Sequence, residues 1–532
     1  MGNIFKQPCD EGAIRSGTAA APCSESAEPW ILAATILGSS LAFIDGTVVN
    51  VALPALQADL NANVVDVQWV VESYALFLAA LVLVGGSLGD RFGRRLIFGI
   101  GVGLFAGASA WCGLAPNVDQ LIIGRAVQGI GGALLVPGSL AIISASFSED
   151  ARGRAIGTWS GFTSITAAVG PVIGGWLIEH ASWRAAFFIN LPIATVVLLI
   201  VFWRVPESRD KDQQPGVDWW GAVLATTGLG GLVFGLIESS NLGLTHPAVL
   251  STLIAGIILL TAFLIVEART ESPMLPVTLF RSKNFSGANL LTLLLYGALS
   301  GALFFFPLNL IQVQGYSATA AGAALLPFIL ILFLLSRWSG GLVDRYGAKL
   351  PLVIGPIIAA AGLALFAAPQ VSDNYWTSFF PAVVVLGVGM AISVAPLTTT
   401  VMNAVKENQA GVASGINNAV SRTAGLIAVA IFGVVMLHAF SQRLDRRLLT
   451  MDLSQEMRQQ IDEQRVKLAG LEPPPNLGAE TRTTLERGVA ESFVFGFRVV
   501  MLMAAGLALA SGLSAWLMID GKEPRHKAKA NN

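Results

Sequence analysis

The sequence predicts an all-α integral membrane protein with fourteen spanning helices in two related halves, and three observations carry that prediction. Apolar residues make up 54% of the 532 residues and charged residues only 13%, about half the charge of an ordinary soluble domain; mean hydropathy is +0.66. Fourteen apolar runs have the length, about 20 residues, that crosses a hydrocarbon core. A polar turn, GSLGDRFGRR at 86 to 95, returns 254 residues later as GGLVDRYGAK at 340 to 349.

In chain order the runs fall near 30–53, 69–89, 96–115, 121–146, 155–178, 183–203, 218–238, 248–267, 287–310, 319–338, 350–368, 377–401, 410–438 and 492–518. Residues 1 to 29 are polar and precede a run too long for the hydrophobic region of a signal peptide. The first run is therefore expected to stay as a helix behind an N-terminal arm. Lys and Arg set the direction. With the N-terminus inside, the tails and loops of that side hold 21 of the 33, among them Arg91, Arg94, Arg95, Arg152 and Arg154, whereas the short opposite loops hold only Arg184. Both termini are expected in the cytoplasm, with the chain in the cell membrane. Eight further Lys and Arg lie in one long outer segment, 441–490. Its stretch SQEMRQQIDEQRVKLAGL spaces Leu and Ile as in an amphipathic helix before Pro473, Pro474 and Pro475. That segment reads either as an outer lid or as a solvated loop.

At the 254-residue offset, Gly86, Leu88, Asp90, Arg91 and Gly93 are answered by Gly340, Leu342, Asp344, Arg345 and Gly347. Such a repeat implies two copies of one architecture. It carries the first five runs onto the ninth to thirteenth and leaves the seventh and eighth as an inserted pair. The expected divisions are an arm (1–29), a six-helix bundle (30–204), a linker with the inserted helices (205–284), a second six-helix bundle (285–519) and a tail (520–532). In the turn, glycines let the backbone reverse. The aspartate can pair with an arginine or with the positive end of a helix, so the turn can latch two helices in one conformational state.

The pattern G-x-L-x-D-R-x-G-R-R between the second and third runs resembles the loop signature of the major facilitator superfamily of secondary transporters. The plan of six, two and six helices resembles the fourteen-helix drug:proton antiporter branch of that family. The resemblance implies the major facilitator fold, with two bundles around a central cavity that opens alternately to either side. It also implies gating roles for Gly86, Asp90, Arg91, Gly93 and Arg94 and for Asp344, Arg345 and Gly347.

Asp45 lies inside an apolar run, LAFIDGTVVNVALPAL. A carboxylate at membrane depth costs roughly 2.5–3.5 kcal/mol on insertion scales and marks a cavity or a partner. The string resembles the first-helix signature of the antiporter branch, which associates the aspartate with proton coupling; Asn50 and Pro54 belong to the same signature. In LIIGRAVQGIGGALLVPGSLAII, Arg125 is the only charge, and Arg125 with Gln128 resembles the family's R-x-x-Q-G-x-G motif. At 1.5 Å per residue, Asp45 is roughly 12 Å and Arg125 roughly 6 Å below the outer ends of their runs. Long side chains can close that gap, giving either a pair that couples to protons or a fixed structural ion pair. Glu72, about one turn from the outer boundary, either joins that site or sits in solvent.

The fifth run, GFTSITAAVGPVIGGWLI, holds Gly170, Pro171, Gly174 and Gly175; it resembles the antiporter signature, which implies export rather than symport. Trp183 and Arg184 are expected as interfacial anchors. Candidate cavity residues are Asn50, Gln128, Asn417, Asn418 and Arg422. Arg422 lies in a run near mid-membrane, and the ninth to thirteenth runs contain no acid to pair with it. That departs from family members with carboxylates in helices 10 and 13, and puts dicationic cargo in doubt. Phe304, Phe305 and Phe306 read as packing or lipid-facing residues, with a cavity wall as the alternative.

Cys9, Cys23 and Cys112 have neither disulfide parity nor metal spacing, so no cofactor or metal is expected. The net charge of -1 gives no footing for nucleic acid. Four scattered histidines and the lack of an HExxH or phosphate-loop motif argue against an enzyme. The expected function is proton-coupled antiport of small hydrophobic or amphipathic compounds out of the cytoplasm, by a monomer whose partners are its cargo, protons and lipid. A periplasmic adaptor protein on the outer segment is a further candidate partner. A proton symporter for one metabolite and a non-transporting membrane sensor are the rival readings.

Overall fold

A computed structural model describes residues 28–209, 218–270, 273–371, 373–405, 409–451, 453–475 and 477–520. The expected N-terminal arm, part of the linker and the C-terminal tail lie outside the described residues. Among those described there is no β-strand. Thirteen helices are long and apolar enough to cross a membrane, and a shorter apolar helix, Lys349–Leu365, occupies the remaining expected position.

The first half comprises α1 (Glu28–Asp59), α2 (Val64–Phe92), α3 (Arg94–Leu114), α4 (Val118–Ser146), α5 (Glu149–His180) and α6 (Ala185–Arg204). Then come α7 (Trp219–Leu242) and α8 (Pro247–Arg269), which pack on each other. The second half comprises α9 (Lys283–Val313) and α10, broken into Ala318–Ala323 and Leu326–Gly340. It continues with α11 (Lys349–Leu365), α12 (Phe380–Asn403), α13 (Ala410–Leu448) and α14 (Ala479–Met518). Local caps place several starts: Asn63 and Asp66 form a capping box at α2, and Asn117 caps α4 by accepting from Gln120 N–H.

Backbones approach closely where glycine removes the side chain. On α4, a Cβ at Gly129 would lie 2.5 Å from the Tyr74 carbonyl of α2, and one at Gly131 would lie 2.6 Å from the Phe105 nitrogen of α3. The glycine run of α4 thus meshes with two neighbours at once. Phe304, Phe305 and Phe306 are buried, Phe306 packing on Phe366 and Phe379. They are packing residues that line neither lipid nor cavity.

The outer segment departs from the expectation at both ends. α13 runs to Leu448 and α14 begins at Ala479, so both helices project beyond the apolar runs that hydropathy picks out. Between them the amphipathic stretch forms a nine-residue helix, Gln455–Glu463, and a 3-10 turn, Arg465–Gly470, with Ile461 and Leu468 buried. This cover is tied to the first half: Gln57 Nε2 donates to the Lys467 carbonyl at 3.1 Å, and Lys467 Nζ to Asn61 Oδ1 at 2.7 Å. Gln312 of α9 donates to Gln57 at 2.8 Å.

The expected antiporter signature of α5 lies between α1 and α10. A Cβ on Gly170 would meet Thr47 Oγ1 at 2.4 Å, one on Gly174 would meet Val48 at 2.6 Å, and one on Gly175 would meet the Ala318 carbonyl at 2.4 Å. Nearby, Glu179 accepts from the Thr319 N–H at 2.9 Å and hydroxyl at 2.6 Å. Gln68 of α2 donates to the Val429 carbonyl of α13 at 3.0 Å. On the orientation set by charge, all of these cross-half contacts lie toward the outer face.

The turn between α2 and α3 is held by a residue that motif spacing does not reveal. Gly93 has φ +122°, the region that favours glycine. Asp90 pairs with Arg94 at 2.8 Å. From the linker after α6, Glu207 accepts from the Arg95 and Leu96 N–H groups at 3.0 and 3.2 Å. A carboxylate at a helix N-terminus satisfies groups that have no partner within the helix and complements the dipole. In the second half Gly347 has φ +76°, so the repeated glycine keeps the same use. The Asp344 side chain lies outside the described residues. Gly93→Ala should cost about 1–3 kcal/mol for the strained backbone, and its Cβ would sit 2.6 Å from the Glu207 carboxylate. A lowered unfolding midpoint of the detergent-solubilised protein is the expected result, with Glu207→Ala relieving only part of it.

Candidate functional site

Four helices converge on one carboxylate. Asp45 of α1 is 0% exposed and Arg125 of α4 is 1% exposed. The Arg125 Nη1 donates to Asp45 Oδ2 and, at 2.6 Å, to Gln128 Oε1, while its Nε donates to the Val70 carbonyl at 3.0 Å. Gln128 Nε2 donates to Asp45 Oδ1 and to Ser109 Oγ of α3, each at 2.8 Å. Asn190 of α6 donates to Ser109 at 3.2 Å. Below the guanidinium lies the Tyr74 ring, 4.3 Å from Arg125 Cζ to the centroid, with Phe187 further off at 5.9 Å.

Each part follows from local sequence. Arg125 and Gln128 are three residues apart, so they share a helix face. Cys112, one turn from Ser109 on α3, packs against Gly124, where only a glycine leaves room for its sulfur. Burying a charge pair is tolerable only when its remaining lone pairs and protons are also met. Here the amide of Gln128 and the Val70 carbonyl do so. Removing either partner would leave a bare charge.

The expected depth difference between Asp45 and Arg125 is closed by the arginine's length. Gln128 is fully buried in this network and does not line a cavity. Glu72 is 1% exposed, not solvated. No hydrogen bond joins it to Asp45, and its Oε2 has no partner among the described residues. Asn417 ties α13 to α9, donating to Thr292 at 2.7 Å and Asn289 at 3.2 Å. Among the described residues, Asn50 and Asn418 bond only to carbonyls one turn back on their own helices. Trp183 is buried rather than anchored in the interface: it and Arg184 both donate to Asp59, at 2.9 and 2.7 Å. Glu207 and Tyr74 were not signalled by any motif. Tyr74 carries an available cue, since it lies four residues after Val70 on the α2 face that meets α4.

A family model described as Major Facilitator Superfamily matches residues 35–429. The chain belongs to the major facilitator superfamily. Membership makes it a multi-pass membrane transporter by family, with the Asp45 network in its first bundle. It is 31% identical over 518 residues to the tetracenomycin C resistance and export protein of Streptomyces glaucescens, covering 96% of each chain. It is 32% identical over 498 residues to the multidrug resistance protein Stp of Mycobacterium tuberculosis, covering 91% of each. Among solved structures, a bacterial homologue of the human lysosomal transporter Spinster, in an inward-facing unoccupied conformation, superposes with a TM-score of 0.66 at 18% identity. That match covers 94% of this chain and 100% of the other, and shows the shared fold.

Proposed function

We propose that this major facilitator protein is a proton-coupled antiporter that exports small hydrophobic or amphipathic compounds from the cytoplasm, with Asp45 as the proton carrier and Arg125 as its partner. The observation that carries the reading is the sealed Asp45–Arg125 pair, the one described ion pair with both side chains at or below 1% exposure. A carboxylate stripped of its guanidinium in low dielectric neutralises by taking a proton. A rearrangement within the first half that separates α1 from α4 would therefore load Asp45, and its return to Arg125 would discharge it. The names of the relatives, a resistance and export protein and a multidrug resistance protein, support export.

In this reading the turns at Gly86 to Arg94 and Asp344 to Gly347 gate the cytoplasmic side. The α5 signature, Gly170, Pro171, Gly174 and Gly175, closes the outer side. The protein works as a monomer in the cell membrane with both termini cytoplasmic. The test is survival of cells making the intact protein or Asp45→Asn on a panel of toxic compounds, with proton flux in everted vesicles read in parallel. Cargo-driven proton release from the vesicles marks antiport; proton movement in the same direction as cargo would mark a symporter, and no flux a sensor.

A further inference from the structure

α13 holds a positive charge inside the bundle that no described residue neutralises. Arg422 lies twelve residues into α13, roughly 18 Å along its axis. Its side chain is half-buried, and among the described residues no carboxylate or hydrogen-bond acceptor meets it. A guanidinium cannot shed its proton, and at helix centre it costs roughly 2.5–3.5 kcal/mol to insert. Arg125 bears the same cost but is met by Asp45. Of the other buried acids, Glu72 is closed off from open space at 1% exposure, and Glu207 and Glu267 accept from backbone N–H groups.

The register of α13 gives its direction. Gly415 lies against Leu83 of α2, and the Val429 carbonyl accepts from Gln68 of the same helix. Arg422 is seven residues from each, on the same helix face. It therefore points across the boundary between the halves. At that level α2 carries Tyr74, between its contacts at Gln68 and Leu83. Tyr74 is 6% exposed, and its hydroxyl has no hydrogen-bond partner among the described residues. Asn418, one turn along α13, is exposed and bonds only to its own helix. A guanidinium without a described carboxylate partner thus faces the boundary between the halves, one turn from an exposed amide.

We infer that the boundary between the halves takes amphipathic compounds carrying an anionic oxygen, such as a carboxylate, a sulfonate or an ionised phenol, and that Arg422 is the group that recognises it. The inference rests on the exporter reading and names the charge of its cargo. The guanidinium fork matches a carboxylate or sulfonate with two parallel hydrogen bonds. A cation in the same place would face an arginine with no acid nearby to offset it.

The test uses purified full-length protein in lipid nanodiscs and two fluorescent probes with one aromatic framework, 8-anilinonaphthalene-1-sulfonate and the uncharged N-phenyl-1-naphthylamine. The intact protein should bind the sulfonate more tightly than the neutral probe. Arg422→Gln should lower that preference roughly tenfold or more, the scale of one lost charge-assisted hydrogen bond. Arg422→Lys, which keeps the charge without the fork, should retain part of it, and decides the matter if the Gln variant does not fold. Equal affinity of the two probes for the intact protein overturns the inference, as does an unchanged preference in Arg422→Gln or a complete loss of preference in Arg422→Lys. Binding needs no proton gradient, so failure here is separable from failure of proton coupling at Asp45.

Discussion

Asp45→Asn is expected to bring cargo-driven proton movement to background while the protein still accumulates in the membrane. The substitution keeps side-chain size and leaves one carbonyl oxygen to accept from Arg125, while its amide nitrogen takes the place of the oxygen that accepts from Gln128. It removes the only atom pair of the network that can take up and give back a proton. Asp45→Ala is a harsher change. It strands a guanidinium that is 1% exposed, and breaking a buried pair in this way costs about 3–5 kcal/mol. The two variants thus separate coupling from folding: Asn should lose transport at near-normal abundance, and Ala should lose abundance too. A pH-sensitive dye in everted vesicles reads the first quantity and membrane immunoblots the second. Undiminished proton release by the Asn variant would remove Asp45 from the mechanism.

Gly175→Val and Gly322→Val are expected to stop transport by a different route. A Cβ on Gly175 would lie 2.4 Å from the Ala318 carbonyl, and one on Gly322 would lie 2.1 Å from the Pro171 carbonyl. Carbon and oxygen need well over 3 Å, and both obstacles are backbone atoms, which cannot swing aside as a side chain can. α5 and α10 must therefore separate, breaking the Glu179 bonds to Thr319 as they do. Spin labels on the outer ends of the two helices should report a longer distance than in the parent protein, with transport at background. An unchanged distance with normal transport would show that this contact is not part of the outer closure.

Much of this architecture was legible because hydrocarbon permits so little. Runs of fixed length, the side on which Lys and Arg collect, and the repeated glycine turn each reflect a constraint that applies along the whole chain. Asp45 and Arg125 were visible for the same reason, as charges where charges are costly. Gln128 was misplaced because a polar residue in a spanning helix serves a cavity or a buried network equally well by composition. Its spacing of three from Arg125 favoured the network. Glu72 read equally as part of the Asp45 site or as solvated, because depth alone ignores that α2 is covered at that level. The start of α14 was set too late because Ala479–Glu491 is a polar stretch of helix, where hydropathy has no contrast to detect. Glu207 was invisible in the sequence, since a loop residue capping a distant helix leaves no periodic trace.

The links between the outer cover and the first half have a bearing on how cargo leaves. Ile461 and Leu468 seat the cover in the apolar core, and Gln57, Lys467 and Asn61 hold it through amide and ammonium contacts. Each such bond is worth only about 0.5–1.5 kcal/mol net, because water can take the place of either partner. In the exporter reading, opening that side would therefore take two steps of different kinds: solvent replacing the polar contacts, and Ile461 and Leu468 withdrawing from the core.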